Sequence, residues 1–542
     1  MNLRNKTFLN ALALFFVLAI IVLGAYAEEN EDGAQESELK TIVVAIEDPL
    51  RTMDPHNYRH RETQAVIRNW TDGLMCTMPD NSLFLDLAES ITFLDPLTTQ
   101  VKIREDVYFH NGDHMTADDY VFCLTRTATP GGLEGQDSPR INNVGLMESV
   151  EKVDDYTFNI HWGNEGEQAV WGNYYNMDVI PKKYFEEVGV EGFVKHPIGV
   201  GPFKWVEGDL NSQVVLERNE NYYGGCPELP GEVDRVPALD RVIFRYIAEP
   251  TTRVAALLSG EVDIIQHVPI DSVKLIQSNP DTKVLGSEGT SIVHIIFNVN
   301  KAPFDDKRVR QAVAYAIDVD MIVENLLMGF ATPRNGRPYM SPLQSARMFL
   351  GAWDDVQSPY DLHDLEKARE LLAEAGYPNG FSTIIDTTAP YSEQAQVIAQ
   401  MLSDVDIDTT VRLWEPGVLA EEFKKGERDM FLTSRGDSTK SPWGWIGGGL
   451  VTDRPALNYG NYSNPKVDEL WDTAFNMVGD MFNDPPDLEL NEMFIEMFEV
   501  IMDDLPVFTL YVPDVIEACR SNVKNFYPHV AGKLNMHKVD IE

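Results

Sequence analysis

Residues 101–122, VKIREDVYFHNGDHMTADDYVF, bring two histidines, a glycine turn and several carboxylates close together. Imidazoles and carboxylates at this density are the ingredients of a metal centre or of acid–base chemistry. Their spacing points elsewhere. His110 precedes Asn111-Gly112, a strong turn signal. Thr116 opens Thr-Ala-Asp-Asp, a helix N-cap with carboxylates in the first turn, where they oppose the helix dipole. His110 and His114 therefore flank a turn instead of sharing a helix face, and the segment predicts strand, turn and helix with its charges spent on capping.

Other reactive residues are equally unproductive as catalysts. Cys76, Cys123, Cys226 and Cys519 are too scattered for metal-ligand spacing, and as disulfide partners they allow three pairings that sequence leaves open, beside two free buried thiols. The chain has no Walker loop, no His-Glu-x-x-His and no Gly-x-Ser-x-Gly. Carboxylate pairs suited to a secreted hydrolase such as a glycosidase arise by chance among 86 acidic residues. Neither a cofactor nor a metal is expected. Asn69-Trp70-Thr71 and Asn461-Tyr462-Ser463 permit glycosylation without requiring it.

The elements that hold these residues alternate. TIVVAI (41–46) predicts a buried strand and TTQVKI (98–103) a half-exposed one. RVIFRYI (241–247) predicts a strand, TTRVAALLSGEV a helix stopped near Gly260, and DIIQHV a further strand. DDKRVRQAVAYAI (305–317) and DLEKARELLAEAG (364–376) are amphipathic helices, the second closed by Gly376. This is an α/β pattern without repeats or disordered tethers, which favours lobes whose chain crosses over more than once.

The 542 residues suffice for two to four domains. Lys and Arg number 44 against 86 Asp and Glu, a net charge of −42 that repels phosphates and excludes nucleic acid as a partner. The acidic surface is read as adaptation to concentrated salt, where screening weakens self-repulsion. Arg4 and Lys6 precede FLNALALFFVLAIIVLGAYA, ending in Ala25-Tyr26-Ala27, which predicts a secretory signal (1–27) cut after Ala27 and followed by an acidic leader (28–38). An uncleaved anchor is the alternative, and either places the remaining chain outside the cytoplasm. No cysteine stands at the cleavage point for lipid attachment.

FHNGDHMTADDYVF resembles a block of the family 5 extracytoplasmic solute-binding proteins, the peptide and nickel receptors of ABC importers. MDPHNY with TDGLM, LAESITFLDPLTTQVKIREDV, GVGPFKW, ERNENYYGG, RVIFRYIAEPTTRVAALLSGEVDII, FNVNKAPFDDKRVRQAVAYAID and KARELLAEAGYPNGF extend the likeness in order along nearly the whole chain. Thr99 departs from it, standing where an apolar or aromatic residue is usual. The resemblance implies a type II periplasmic-binding-protein-like α/β fold with a hinged cleft. One lobe would comprise 38–78, 200–290 and 505–542, an inserted domain 79–199 and the far lobe 291–504. It also implies a monomer that captures a peptide, or alternatively a nickel chelate or an oligosaccharide. Delivery would be to membrane permease subunits whose ATPase is a separate chain.

In dipeptide receptors of this family a strand ending in Gly-Asp sets a carboxylate on the peptide's α-ammonium. Gly436-Asp437 matches it, although STKSPWGWIGGG replaces the usual Asp-Pro that follows. Asp437 is the expected amine anchor, with a surface loop as the bland alternative. Trp443 and Trp445 are candidates for a stacking wall or for core aromatics, and Arg435 for anion binding. RTMDPHNYRHR gathers His56, Tyr58 and Arg59 near the expected hinge, with Arg51, His60 and Arg61, as contacts for a substrate carboxylate or as a solvated loop. His56 and His60 are what keeps nickel in view.

Overall fold

Fourteen residues, Val507–Arg520, form the strand around which the chain is organised. In the computed structural model, which describes residues 39–542 except 80–82, 142–143, 145–146, 164–173, 175, 227–235, 338–356, 437–445, 447–448, 453–457, 477–487 and 531, its two ends serve different halves of one sheet. Residues 507–511 pair antiparallel with Ser291–Phe297, and 514–520 pair with Thr282–Glu288. Beyond Ser291–Phe297 follow Met430–Gly436, Phe381–Thr388 and Ile407–Trp414; on the other side follow Ile264–Ile265, Thr41–Ile46, Arg241–Tyr246, Gln213–Arg218 and Phe203–Asp209. The chain passes between the halves twice, at 288–291 and at 511–514. This is the two-lobe α/β architecture expected from the sequence.

Each half buries its own apolar faces. In the far half, Val293, Ile295, Leu432 and Tyr511 of the sheet pack with Val313, Leu372 and Ile398 from helices. The two amphipathic helices begin at side-chain caps: Asp306 accepts from the Arg308 amide ahead of Lys307–Ala316, and Asp364 accepts from the Lys367 amide ahead of Leu365–Glu374. In the near half, Ile42, Val44 and Phe244 share one core with Val101 and Phe158 of a separate four-stranded sheet. That sheet orders Ala88–Asp95, Thr98–Ile103, Thr157–Trp162 and Met147–Lys152. Thr99 lies wholly buried within it, and its hydroxyl accepts from Trp162 Nε1 at 2.9 Å and Tyr174 OH at 3.2 Å. Two donors thus satisfy the polar atom that stands at an otherwise apolar position.

The segment 101–122 is strand, turn and helix. Gly112 takes φ 87° in the turn, and Thr116 and Asp119 close a capping box on Ala117–Ala128. His110 Nε2 faces the Gly201 carbonyl at 3.1 Å and His114 Nε2 the Glu105 carbonyl at 2.7 Å. Both imidazoles tie loops together.

Several local expectations are corrected or narrowed. DIIQHV yields only the two-residue strand Ile264–Ile265, wedged between Thr41–Ile46 and Val507–Arg520. Of the three cysteine pairings, one bridge forms, Cys76–Cys226, while Cys123 and Cys519 are buried free thiols. The sequon at Asn69 is closed to glycosylation in the folded state, because Asn69 is 1% exposed and its amide donates to the Ala65 and Leu534 carbonyls. Among the described residues no helix is long and apolar enough to cross a membrane; the apolar run of residues 8–27 lies outside them.

Candidate functional site

The strand Met430–Gly436 lies in register with Ser291–Phe297, so that Arg435 stands opposite Ile292 and Gly436 opposite Ser291. Ser291 is the first residue after the crossing at 288–291. The strand therefore delivers Arg435 to the sheet edge where the chain changes lobe. Alternation along a strand places residues two apart on one face. Phe431, Thr433 and Arg435 accordingly join His294 and Ile296 in the wall of a cavity of about 360 Å3. Tyr391, Asn458, Tyr459 and Tyr462 complete the polar lining, and Tyr391 OH donates to Ser434 Oγ at 2.5 Å. The volume is at the lower end of that typical of small-molecule sites.

His294 is the least obvious member. It is 4% exposed, and burial, reinforced by the Arg435 guanidinium, lowers its pKa to about 3. It is thus a neutral imidazole at any physiological pH, and its Nδ1 makes no hydrogen bond among the described residues. A buried, unsatisfied ring nitrogen beside a cation in a cavity wall is equipped to meet a polar group brought in by a ligand. Sequence reasoning missed it because SIVHIIF reads as an unbroken apolar strand.

Of the residues singled out by sequence, Arg435 lines this cavity. Asp437, Trp443 and Trp445 lie outside the described residues; Arg435 before them and Gly449 after them both line the cavity. His56, Tyr58 and Arg59 are elsewhere, in the near half. His56 is 1% exposed, with Nε2 at 3.1 Å from the Asp178 carbonyl and Nδ1 at 3.1 Å from Arg126 Nη1. Burial lowers its pKa to about 4, and with both ring nitrogens engaged it is a neutral bracket inside the protein. Arg126 holds Asp54 through two bonds of 2.9 and 2.7 Å, and Tyr58, 4% exposed, lies under the Arg140 guanidinium at 4.7 Å. Contact of His56 or Tyr58 with a solute is therefore set aside: both side chains are built into the interior. Arg59 is exposed.

A second pocket, of about 50 Å3, is lined by Arg68, Asp72, Asp86, Tyr222 and Lys533 among others. Tyr223 OH bridges Asp72 at 2.9 Å and Asp86 at 2.7 Å, and burial raises both carboxyl pKa values, that of Asp72 to about 6. Its size suits a water or two and no solute.

Comparison with known proteins agrees with the architecture. The model for bacterial extracellular solute-binding proteins, family 5 Middle, matches residues 83–449. The glutathione-binding protein GsiB of Shigella boydii serotype 4 (strain Sb227) is 29% identical over 513 residues, covering 90% of this chain and 92% of GsiB. The structure of HbpA2 from Haemophilus parasuis superposes with a TM-score of 0.78 at 21% identity, covering 93% of this chain and 100% of the other. The periplasmic binding protein DppA from Helicobacter pylori, in complex with the peptide STSA, gives 0.65 at 24% identity, covering 93% and 98%. With two lobes joined by two crossings, a cavity opening at the strand edge beside them, and a family model spanning most of its length, this chain belongs to the family 5 bacterial extracellular solute-binding proteins.

Proposed function

We propose that the protein is the extracytoplasmic receptor of an ABC importer, closing its lobes on a short peptide with a free amino terminus and presenting it to membrane permease subunits. The observation that carries this reading is the cavity beside the crossings, with Arg435 and the neutral His294 in its wall. A wall supplying one fixed cation and one unsatisfied imidazole suits a carboxylate-bearing, amide-rich ligand better than an apolar one. Asp437, one residue beyond the strand end, would take the α-ammonium, with Trp443 and Trp445 as the stacking wall and Arg59 at the opposite rim. The peptide named for the Helicobacter relative and the tripeptide named for GsiB support the same ligand class.

In this reading no reaction is catalysed, the ATPase is another chain and the receptor acts as a monomer. The signal is removed after Ala27, residues 28–38 form a solvated leader, and the lobes span 38–78 with 200–290 and 505–542, and 291–504, around an insert at 79–199. The net charge of −42 is the mark of a salt-rich habitat.

Native mass spectrometry of freshly purified protein, followed by calorimetry with di- to tetrapeptides, glutathione, a nickel–histidine chelate and an oligosaccharide, tests the reading. Saturable binding of a free-amine peptide supports it. Binding of the chelate or the sugar with no response to peptides overturns the ligand class while leaving the family assignment intact.

A further inference from the structure

At the carboxyl ends of two neighbouring parallel strands, Thr41–Ile46 and Ile264–Ile265, three carboxylates and two imidazoles converge. Glu47 and Asp48 follow the first strand, His267 follows the second, and His60 and Glu62 sit at the start of the helix Arg61–Ile67. They form two overlapping triads, Asp48–His60–Glu62 and Glu47–Glu62–His267, in each of which one ligand-type atom per residue lies within 4.8 Å of the others. Glu62 is common to both.

Glu62 is 5% exposed, and its only polar contact among the described residues is His60 Nε2 at 3.2 Å. His267 Nδ1, sealed from solvent, lies 3.1 Å from Glu47 Oε1. Arg253 lies 3.4 Å from Glu47, and Arg61, the first residue of the helix, adds a second positive charge that acts on Glu47. Three carboxylates, one of them buried, thus stand together with two imidazoles. A cation among them would offset the cost of holding a buried carboxylate beside two others.

The geometry suits a metal in that position. His60 Nδ1 is 3.1 Å from Thr63 Oγ1, a contact that fixes the ring and turns Nε2 toward Asp48, at 3.5 Å, and Glu62. Orienting a ligand imidazole through its other nitrogen is the usual outer-sphere arrangement. Bonds of about 2.0–2.2 Å at tetrahedral angles separate neighbouring ligand atoms by about 3.3–3.6 Å, close to the 3.5 and 3.2 Å between His60 Nε2 and the Asp48 and Glu62 carboxylates. Imidazole and carboxylate without thiolate select first-row divalent ions over soft ones.

We propose that Glu62, His60 and His267, supported by Asp48 and Glu47, bind one divalent transition cation of the zinc class, against the expectation from sequence that the chain takes no metal. The site is independent of the solute cavity, whose lining shares no residue with it.

Zinc chloride titrated calorimetrically into chelator-stripped protein, in a high background of sodium and magnesium ions, is the test. One saturable equivalent is expected, with a rise in thermal midpoint on loading. Glu62→Gln should abolish that equivalent, and His60→Gln and His267→Asn (asparagine tolerates the φ of 51° at that position) should each weaken it at least about tenfold. Cobalt loading supplies a readout that does not depend on comparing variants: visible bands of a nitrogen- and oxygen-ligated ion are expected in the wild type, and their intensity should fall in His60→Gln. If Glu62→Gln fails to fold, the cobalt spectrum and the two histidine variants decide the matter alone. Zinc uptake that is weak, magnesium-competed and unchanged in the histidine variants is a diffuse counter-ion only and overturns the proposal, as does a cobalt spectrum without imidazole character.

Discussion

Glu288 and Asp514 stand directly opposite each other on the two strands that approach the lobe crossings. Arg334 answers Glu288 with two bonds of 3.0 Å, and burial, with Glu288 adding to it, raises the Asp514 pKa to about 6. The native state therefore keeps a proton on Asp514 in a range where the unfolded chain, near the ordinary 3.8, has released it. Stability from this group is complete at low pH and is lost as pH rises through about 6. Asp514→Asn, neutral throughout, should raise the thermal midpoint at pH 7 and flatten its dependence between about pH 4 and 6. Equal slopes for the two proteins across that window would refute the assignment.

Gly289 sits in the crossing between these strands and the far half. A β-carbon there would lie 2.5 Å from the Pro513 carbonyl oxygen, part of the other crossing, so neither backbone can yield without moving its lobe. Gly289→Ala should cost on the order of 1–3 kcal/mol, as overpacking does, measured as a lower denaturant midpoint. An unchanged midpoint would mean that the crossings slide freely.

Closure on ligand follows from lobes joined by such crossings, because a solute touching both favours the closed form. Small-angle scattering should show a smaller radius of gyration at saturation with a bound peptide. A scattering curve that does not change at saturation would contradict a hinged cleft.

Asp437→Asn keeps shape and one acceptor oxygen but removes the charge proposed to face the ligand's ammonium. A free-amine peptide should lose about 2–5 kcal/mol of affinity, while an N-acetylated peptide, weak on the wild type, should be little affected. Calorimetry on both proteins with both peptides reads the coupling. Equal binding of the free amine by the two proteins would make Asp437 a loop residue.

Added monovalent salt should raise the thermal midpoint from its low-salt value, since a net charge of −42 repels itself until screened over about 10 Å at 0.1 M. A flat or falling midpoint would remove the argument for salt adaptation.

Elements governed by local chemistry were legible in the sequence. Thr116 with Asp119, Gly260 at φ 79° and Gly376 at φ 93° mark helix ends that their own side chains or backbones enforce. What depends on distant partners was not. Val507–Arg520 contains Pro513, which reads as a break, yet it runs on because the residue lies where the pairing changes hands. His56 looked available because its loop is polar; Arg126, seventy residues away, encloses it. His294 and Arg435 meet only through the register of two strands separated by more than a hundred residues. Order along the chain revealed the family, but side-chain neighbours across the sheet decide which residues can touch a solute.

The shared strand also bears on biosynthesis. Val507–Arg520 lies at the middle of the long sheet and is among its last parts to be made. Until it emerges, Ser291–Phe297 and Thr282–Glu288 each present an open edge, and neither half can finish its sheet. Completion is therefore a late and joint event: the chain stays unfinished through almost all of its synthesis, then both halves close on the same fourteen residues. A stop before residue 507 would therefore leave two incomplete lobes and no intact one.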